Sequence, residues 1–250
     1  MKQQTINQLN QINNTFYQEV ANDFHRTRQH YWPGWHQLTD LLKQSQPTSI
    51  LDVGCGNGRF GLYLKHEPQL NSIKYIGLDS NDQLLSLAQK RLTKEEINNQ
   101  LIQTDLVEQL IQDQPLAQLD SDYDLITAFG LLHHIPSFEL RKKLLTQLAG
   151  KLTQNGILVI TFWRFLDDLR LKKRVVDPSY LNLDPSELDE HDFILDWKRG
   201  VTGYRYCHYV DDQEEALLLQ DLGLEQLMQF KADGPTNQVN QYLALRKKKE

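Results

Sequence analysis

Apolar residues at Ile6, Leu9, Ile12, Phe16, Val20 and Phe24 recur every three or four positions, the spacing of one face of an amphipathic helix. Pro33-Gly34 interrupts the pattern, and Trp35, Leu38, Leu41 and Leu42 then fall on one side of a second helix that runs to the turn at Gln46-Pro47. Downstream the rhythm changes. Short apolar runs at Ser49–Val53, Ile73–Leu78, Leu101–Thr104, Tyr123–Phe129 and Ile157–Phe162 alternate with stretches of helical period such as Asp82–Leu92 and Phe138–Leu152. Strands alternating with helices predict a parallel sheet covered on both faces. After Trp163 the alternation stops, and residues 163–202, rich in charge, Pro and Asp, read as an insertion or lid. Gly203–Val210, a helix over Asp212–Leu222 and closing strands near Leu224–Phe230 and Gln238–Leu245 finish the chain. The expected fold is α/β: a doubly wound, mostly parallel seven-stranded sheet with N-terminal helices and an insertion after strand 5.

Length sharpens this. A chain of 250 residues, 40% of them hydrophobic, can bury one substantial core plus an elaboration. The expected division is a helical cap over 1–46, contributing to an acceptor site, and a catalytic-sized domain over 47–250 with its lid at about 164–202. Met1–Asn14 is polar and has no apolar run of the kind a leader or membrane span needs, so a cytoplasmic location without membrane attachment is expected. Cys55 and Cys207 are the two cysteines, too few and too far apart for a disulfide framework or a cysteine zinc site. The formal charge of −6 argues against a protein that coats nucleic acid. Local basic patches remain at Arg164–Arg174 and at the Arg246-Lys247-Lys248-Lys249 tail, each read first as solvated surface.

The strand Ile50–Val53 runs directly into Gly54-Cys55-Gly56-Asn57-Gly58, with a helix able to continue over Arg59–Leu64. Glycines at such a strand end let the backbone turn sharply and approach a ligand. The spacing is G-x-G-x-G, not the G-x-G-x-x-G that seats a pyrophosphate, which favours a donor without phosphate. Asp79, 21 positions after Gly58 at the tip of the second strand, is the natural acceptor for ribose hydroxyls. Asp105, after the third strand, stands where an adenine amine could donate. Taken alone, each could be only a turn or a helix cap. In this order they point to S-adenosylmethionine, with Asp52, Gly54, Cys55, Gly56, Asn57, Gly58, Asp79, Ser80, Asp105, Leu106 and Phe129 as its expected contacts. The fourth strand ends in Phe129-Gly130-Leu131-Leu132-His133-His134-Ile135-Pro136, at the rim where a methyl acceptor would sit. His133 and His134 either pack beneath the sheet or face the cleft, His134 being the better candidate to face it. Adjacent histidines lack the i, i+4 spacing of a helical zinc pair, and no metal is expected.

The flanks carry a more specific likeness. The stretch Val20-Ala21-Asn22-Asp23-Phe24-His25-Arg26-Thr27-Arg28-Gln29-His30-Tyr31-Trp32-Pro33 resembles the opening signature of the tRNA wobble-uridine carboxymethyl methyltransferases, a family of class I S-adenosylmethionine-dependent enzymes. Thr161-Phe162-Trp163 is similar to the aromatic end of that family's fifth strand. Tyr204-Arg205-Tyr206-Cys207-His208-Tyr209 is similar to its Arg-Tyr-Tyr-His segment, with Cys207 in place of a tyrosine, and Ile194-Leu195-Asp196-Trp197 stands where the family has an apolar run ending in Pro-Trp. The resemblance implies esterification of a carboxylate on tRNA. It also raises the question of a small zinc-binding activator subunit, which eukaryotic relatives use and on which this sequence is silent. A carboxylate is already ionised at neutral pH, so such an enzyme needs alignment more than a base. Arg28 and Arg205 are the candidates to hold the acceptor carboxylate, with His134 and His208 supporting its placement; each arginine could instead form a structural ion pair. Two other readings stay open: a small-molecule O- or N-methyltransferase with His134 as general base, and a non-catalytic protein that only binds S-adenosylmethionine.

Overall fold

The computed structural model describes the whole chain except residues 71, 115, 117, 118, 120, 121, 200, 249 and 250, so Lys249 of the basic tail lies outside the described residues. Two helices, α1 (Gln3–Thr27) and α2 (Pro33–Ser45), precede β1 (Ser49–Val53). Pro33 starts α2, where a missing N–H costs nothing. Then follow α3 (Arg59–His66), β2 (Lys74–Asp79), α4 (Asp82–Lys94), β3 (Asn98–Gln103), α5 (Leu106–Ile111), β4 (Tyr123–Ala128), α6 (Phe138–Gly150) and β5 (Leu152–Trp163). The rest comprises α7 (Leu169–Lys172), β6 (Val175–Val176), β7 (Asp192–Arg199), β8 (Val201–His208), α8 (Asp212–Leu219), β9 (Leu224–Ala232) and β10 (Asn240–Lys247).

Seven strands form one sheet in the order β3-β2-β1-β4-β5-β10-β9. β1 to β5 run parallel to one another, and β10 is antiparallel to both β5 and β9. Alternate residues of the same strand serve opposite faces. Leu51 and Val53 join Ile126, Leu158 and Leu243 against α5, α6 and α8. Ile50 joins Tyr75, Leu125, Val159 and Tyr242 against Trp35 and Leu38 of α2, Phe60 of α3 and Ala88 of α4. Strands buried on both sides explain the near-continuous apolar runs of the sequence. The order reverses between β1 and β4, which opens a crevice beyond their carboxyl ends.

Residues after Trp163 are more structured than a loose lid. β6, β7 and β8 make a separate three-stranded antiparallel sheet, so the strand at Gly203–Val210 belongs to the insertion and not to the main sheet. α1 packs along it: Leu9 meets Ile194 and Tyr206, and Phe16 and Val20 meet Trp197. The basic patch at Arg164–Arg174 also needs correction, because Arg164 is buried and ion-paired to Glu215 at 2.6 Å and Asp212 at 2.8 Å. Arg170 pairs with Asp168 and Arg174 with Asp196.

Candidate active site

A cleft of about 750 Å³ opens at the carboxyl ends of β1, β2 and β4, within the range of small-molecule sites. Its floor is the glycine loop. The amides of Gly54 and Cys55 both donate to the Leu78 carbonyl, at 2.8 and 2.9 Å, which folds the loop back over β2. Gly54, Gly56 and Gly58 all have positive φ, at 75°, 53° and 73°, a region where side chains are strained. They serve different ends. A Cβ on Gly56 would meet nothing within 4 Å, so that glycine leaves its backbone bare to the cleft. A Cβ on Gly58 would press on Ala88 and Leu92 of α4, and Gly58 is not among the cleft-lining residues. Its role is to let α3 pack against α4, a correction to its expected place as a ligand contact.

Two carboxylates bracket the loop. Asp79 Oδ2 accepts from the Gly56 amide at 2.8 Å and Oδ1 from the Asn81 amide at 2.9 Å. Burial pushes its pKa up, against the pull of backbone N–H groups of Asn81, Gly56 and Ser80. Each oxygen keeps a second lone pair, the arrangement a vicinal diol requires. Asp52 lies deeper, accepting from Tyr75 Oη at 2.6 Å and Thr127 Oγ1 at 2.8 Å, and burial pushes it up to about 6 despite those donors. It braces the loop from below. Ser80, Leu106 and Phe129 line the cleft, and Phe129 packs in an aromatic cluster with Phe60, Trp32 and Trp35.

Asp105 is busier than the sequence suggests. Its Oδ1 caps α5 through the Glu108 amide at 3.1 Å, while Oδ2 accepts from Asn10 and Asn14 of α1 at 2.7 and 2.8 Å. Asn57, buried at the cleft, likewise turns toward the N-terminal segment, its Nδ2 donating to the Arg28 carbonyl at 3.3 Å and lying 3.0 Å from His25 Nδ1. Both predicted contacts therefore also tie the N-terminal segment over the cleft. The i, i+4 spacing of Asn10 and Asn14 places them on one helix face, a signal visible in the sequence but uninterpretable without Asp105.

Arg28 and Arg205 reach the cleft from different sides. Arg28 lies beside the loop, its guanidinium 4.9 Å from the Phe24 ring. Near it Arg59, a residue sequence reasoning passed over, donates to the His30 carbonyl at 2.9 Å and lies over Trp32 and Trp35, both at 5.6 Å. Burial, then the charges of Arg28 and Arg91, pull Arg59 down to about 9. Arg205 sits at the other end, 8% exposed, over Trp163 at 4.6 Å, Phe16 at 5.6 Å and Trp197 at 5.7 Å. Its Nε is buried without a hydrogen-bond partner among the described residues. This guanidinium is held by rings, not by a carboxylate.

The histidines divide in an unexpected way. His134 Nδ1 lies 3.0 Å from the Tyr206 carbonyl and must carry the proton, so Nε2 accepts from Tyr17 Oη at 2.9 Å. Burial, then Arg205, pull His134 down to about 3. With both nitrogens engaged it is poorly suited to be a general base, although it lines the cleft beside Tyr17 of α1. His133, His134 and Cys207 offer ligand atoms within 4.8 Å of one another, but His134 is committed and burial pushes the Cys207 thiol up to about 12. His208 does not line the cleft at all. It is 1% exposed, with Nδ1 2.7 Å from Asp192 and Nε2 2.6 Å from Glu214, in a cluster joined by Arg141 and Tyr206. Its place in acceptor binding is thus corrected to a latch between β7, β8, α6 and α8.

That latch has a pH signature. Burial lowers the His208 pKa, but hydrogen bonds to Asp192 and Glu214 outweigh it and leave the folded value raised. A raised folded pKa contributes stability fully present below the unfolded value of about 6.5 and lost as pH rises through the folded value. Between pH 6 and 8 the urea midpoint of the wild type should therefore fall more than that of His208→Gln. Parallel slopes would remove His208 as the source.

Comparison with known proteins agrees with this geometry. Residues 51–158 match the model of a methyltransferase domain. A structure of an S-adenosylmethionine-dependent methyltransferase from Clostridium acetobutylicum superposes with a TM-score of 0.65 at 13% identity, covering 92% of this chain and 97% of the other. S-adenosylmethionine-bound CalS10, an amino pentose methyltransferase from Micromonospora echinaspora, gives 0.60 at 15% identity, with 92% and 97% covered. Sheet order, glycine loop and domain match define the class: residues 51–158 form a methyltransferase domain, on the Rossmann-like sheet of class I S-adenosylmethionine-dependent methyltransferases. Within it, the chain is similar to the tRNA (carboxymethyluridine(34)-5-O)-methyltransferase of Saccharomyces cerevisiae, 31% identical over 151 residues, or 59% of this chain. The matched stretch spans 46% of that yeast protein. Among the described residues no helix is long and apolar enough to cross a membrane.

Proposed function

We propose that this protein transfers the methyl group of S-adenosylmethionine to a carboxylate borne by a modified wobble uridine of tRNA, giving a methyl ester. The observation that carries the reading is Arg205: a buried guanidinium, framed by Trp163, Trp197 and Phe16, with an unpartnered Nε and no protein carboxylate opposite it among the described residues. Uncompensated buried charge is costly, and an anionic acceptor would relieve it. At the other end Arg28, expected from the sequence to hold the acceptor, lies instead beside the glycine loop and with Arg59 supplies positive charge for the donor's α-carboxylate, Asp79 accepts its ribose hydroxyls, and Gly56 gives it bare backbone.

The donor brings an electron-poor methyl on a sulfonium sulfur. Arg205 holds the acceptor so that one carboxylate oxygen faces that carbon; the O–C bond forms as the S–C bond breaks, and the electron pair leaves on neutral sulfur. No proton moves. Alignment of this kind is worth up to about 7–11 kcal/mol in ideal cases. The small-molecule alternative with His134 as base is disfavoured by its pKa of about 3 and its two occupied nitrogens. The non-catalytic alternative leaves Arg205 without a purpose.

The direct test incubates the protein and labelled donor with bulk tRNA from a strain lacking it, followed by mass spectrometry of the nucleosides. A methyl ester on a wobble uridine is expected; label confined to a small metabolite would overturn the reading. At saturating donor, the rate should also stay flat between pH 6.5 and 8, because an acceptor carboxylate is ionised throughout. A tenfold fall toward pH 6.5 would indicate a base instead.

A further inference from the structure

His133 and His134 both line the cleft and are both buried, but they differ in their hydrogen bonds. His133 is 5% exposed, and its ring is wedged against Trp163 at 4.9 Å and His134 at 4.0 Å. Its Nδ1 is buried with no hydrogen-bond partner among the described residues. Since Nδ1 is sealed off, the ring meets the cleft through its Nε2 edge. Burial, together with His134 and Arg205, keeps the imidazole neutral, so one nitrogen carries the single proton. An orphaned buried N–H is rarer than an orphaned acceptor. The proton therefore belongs on Nε2, leaving a fixed donor aimed into the cleft. Arg205 shares the same Trp163 ring, so donor and guanidinium serve one end of the site.

We infer that His133 is an acceptor-binding residue that donates Nε2–H to a ring carbonyl oxygen next to the carboxyl-bearing carbon, and thereby selects a uracil over a cytosine. The inference rests on the carboxylate reading above. With Arg205 on the carboxylate, a group on C5 of a pyrimidine brings position 4 alongside. Uracil presents a carbonyl oxygen there, which accepts from Nε2–H. Cytosine presents an amine, a donor facing a donor. Shifting the proton to Nδ1 to accept from that amine would leave a buried N–H unpaired. A site built on a hydrogen bond rejects a mismatched partner more strongly than one built on shape.

The test uses anticodon stem-loops carrying 5-carboxymethyluridine or 5-carboxymethylcytidine. Wild type is expected to prefer the uridine substrate at least about 30-fold in kcat/KM. His133→Phe, which keeps the ring packing against Trp163, should lose most of that preference through the uridine substrate, with donor Kd unchanged. His133→Gln, whose amide can donate from a similar place, should recover part of it. Unchanged discrimination in both variants, with thermal melts like the wild type, would overturn the role of His133 while leaving the carboxylate reading intact. No methyl transfer to the uridine stem-loop by wild type would overturn both.

Discussion

Arg205→Ala is expected to lower methyl transfer at least about 100-fold while the Kd for donor stays within about twofold of the wild type. Breaking one side of a desolvated charge pair costs about 2–5 kcal/mol, and 2.7 kcal/mol is 100-fold in rate. The loss should be confined to the acceptor side because Arg205 stands among Trp163, Trp197 and Phe16, away from the glycine loop. Arg205→Lys makes the argument sharper. It keeps the charge but not the planar fork that grips two carboxylate oxygens or stacks on rings, so it should remain at least about tenfold impaired. Steady-state kinetics with tRNA acceptor, beside calorimetry with S-adenosylhomocysteine, separates the two sides. Turnover by Arg205→Ala within threefold of wild type would remove Arg205 from acceptor binding. A parallel loss of donor affinity would point to a misfolded cleft.

What could be read from the sequence tracks how local its causes are. The strand β1 and its loop were legible because a doubly buried strand is a continuous apolar run and because G-x-G-x-G is contiguous. β3 begins at Asn98, three residues before the expected Leu101, since Asn98, Asn99 and Gln100 sit on an edge strand whose pairing to β2 needs no hydrophobic signal. The insertion read as a lid because its order comes from β7–β8 pairing and from α1, nearly 200 residues away along the chain: Asn13 accepts from the Tyr206 amide at 2.9 Å. Long-range partners also decided the charged residues. Arg164 looked like surface until Glu215 closed on it, and His208 looked like a ligand contact until Asp192 and Glu214 took both nitrogens. Of the two adjacent histidines, type and position say nothing about which is free. That depends on Tyr17 and the Tyr206 carbonyl reaching His134 and leaving His133 alone.

The complementary result is expected from Asp79→Asn: a donor Kd raised about 100-fold, with the rate largely restored at saturating donor. Asp79 has two tasks that only a carboxylate performs together. Its oxygens accept from the Gly56 and Asn81 amides, fixing the loop, and their remaining lone pairs face the cleft. Asparagine has one acceptor oxygen, so its NH2 must confront either a backbone N–H or a ribose hydroxyl. Hydrogen bonds to a charged group contribute about 1.5–3 kcal/mol each, and losing one or two gives the stated shift. Arg205→Ala should impair acceptor turnover and spare donor binding; Asp79→Asn should do the reverse. Because no hydrogen bond or ion pair links the two residues among the described residues, their losses in kcat/KM should multiply in the double variant. A double variant no worse than Arg205→Ala alone would mean that donor and acceptor ends act as one unit, and the separation of roles drawn from Arg28, Arg59 and Asp79 on one side and Arg205 on the other would fail with it.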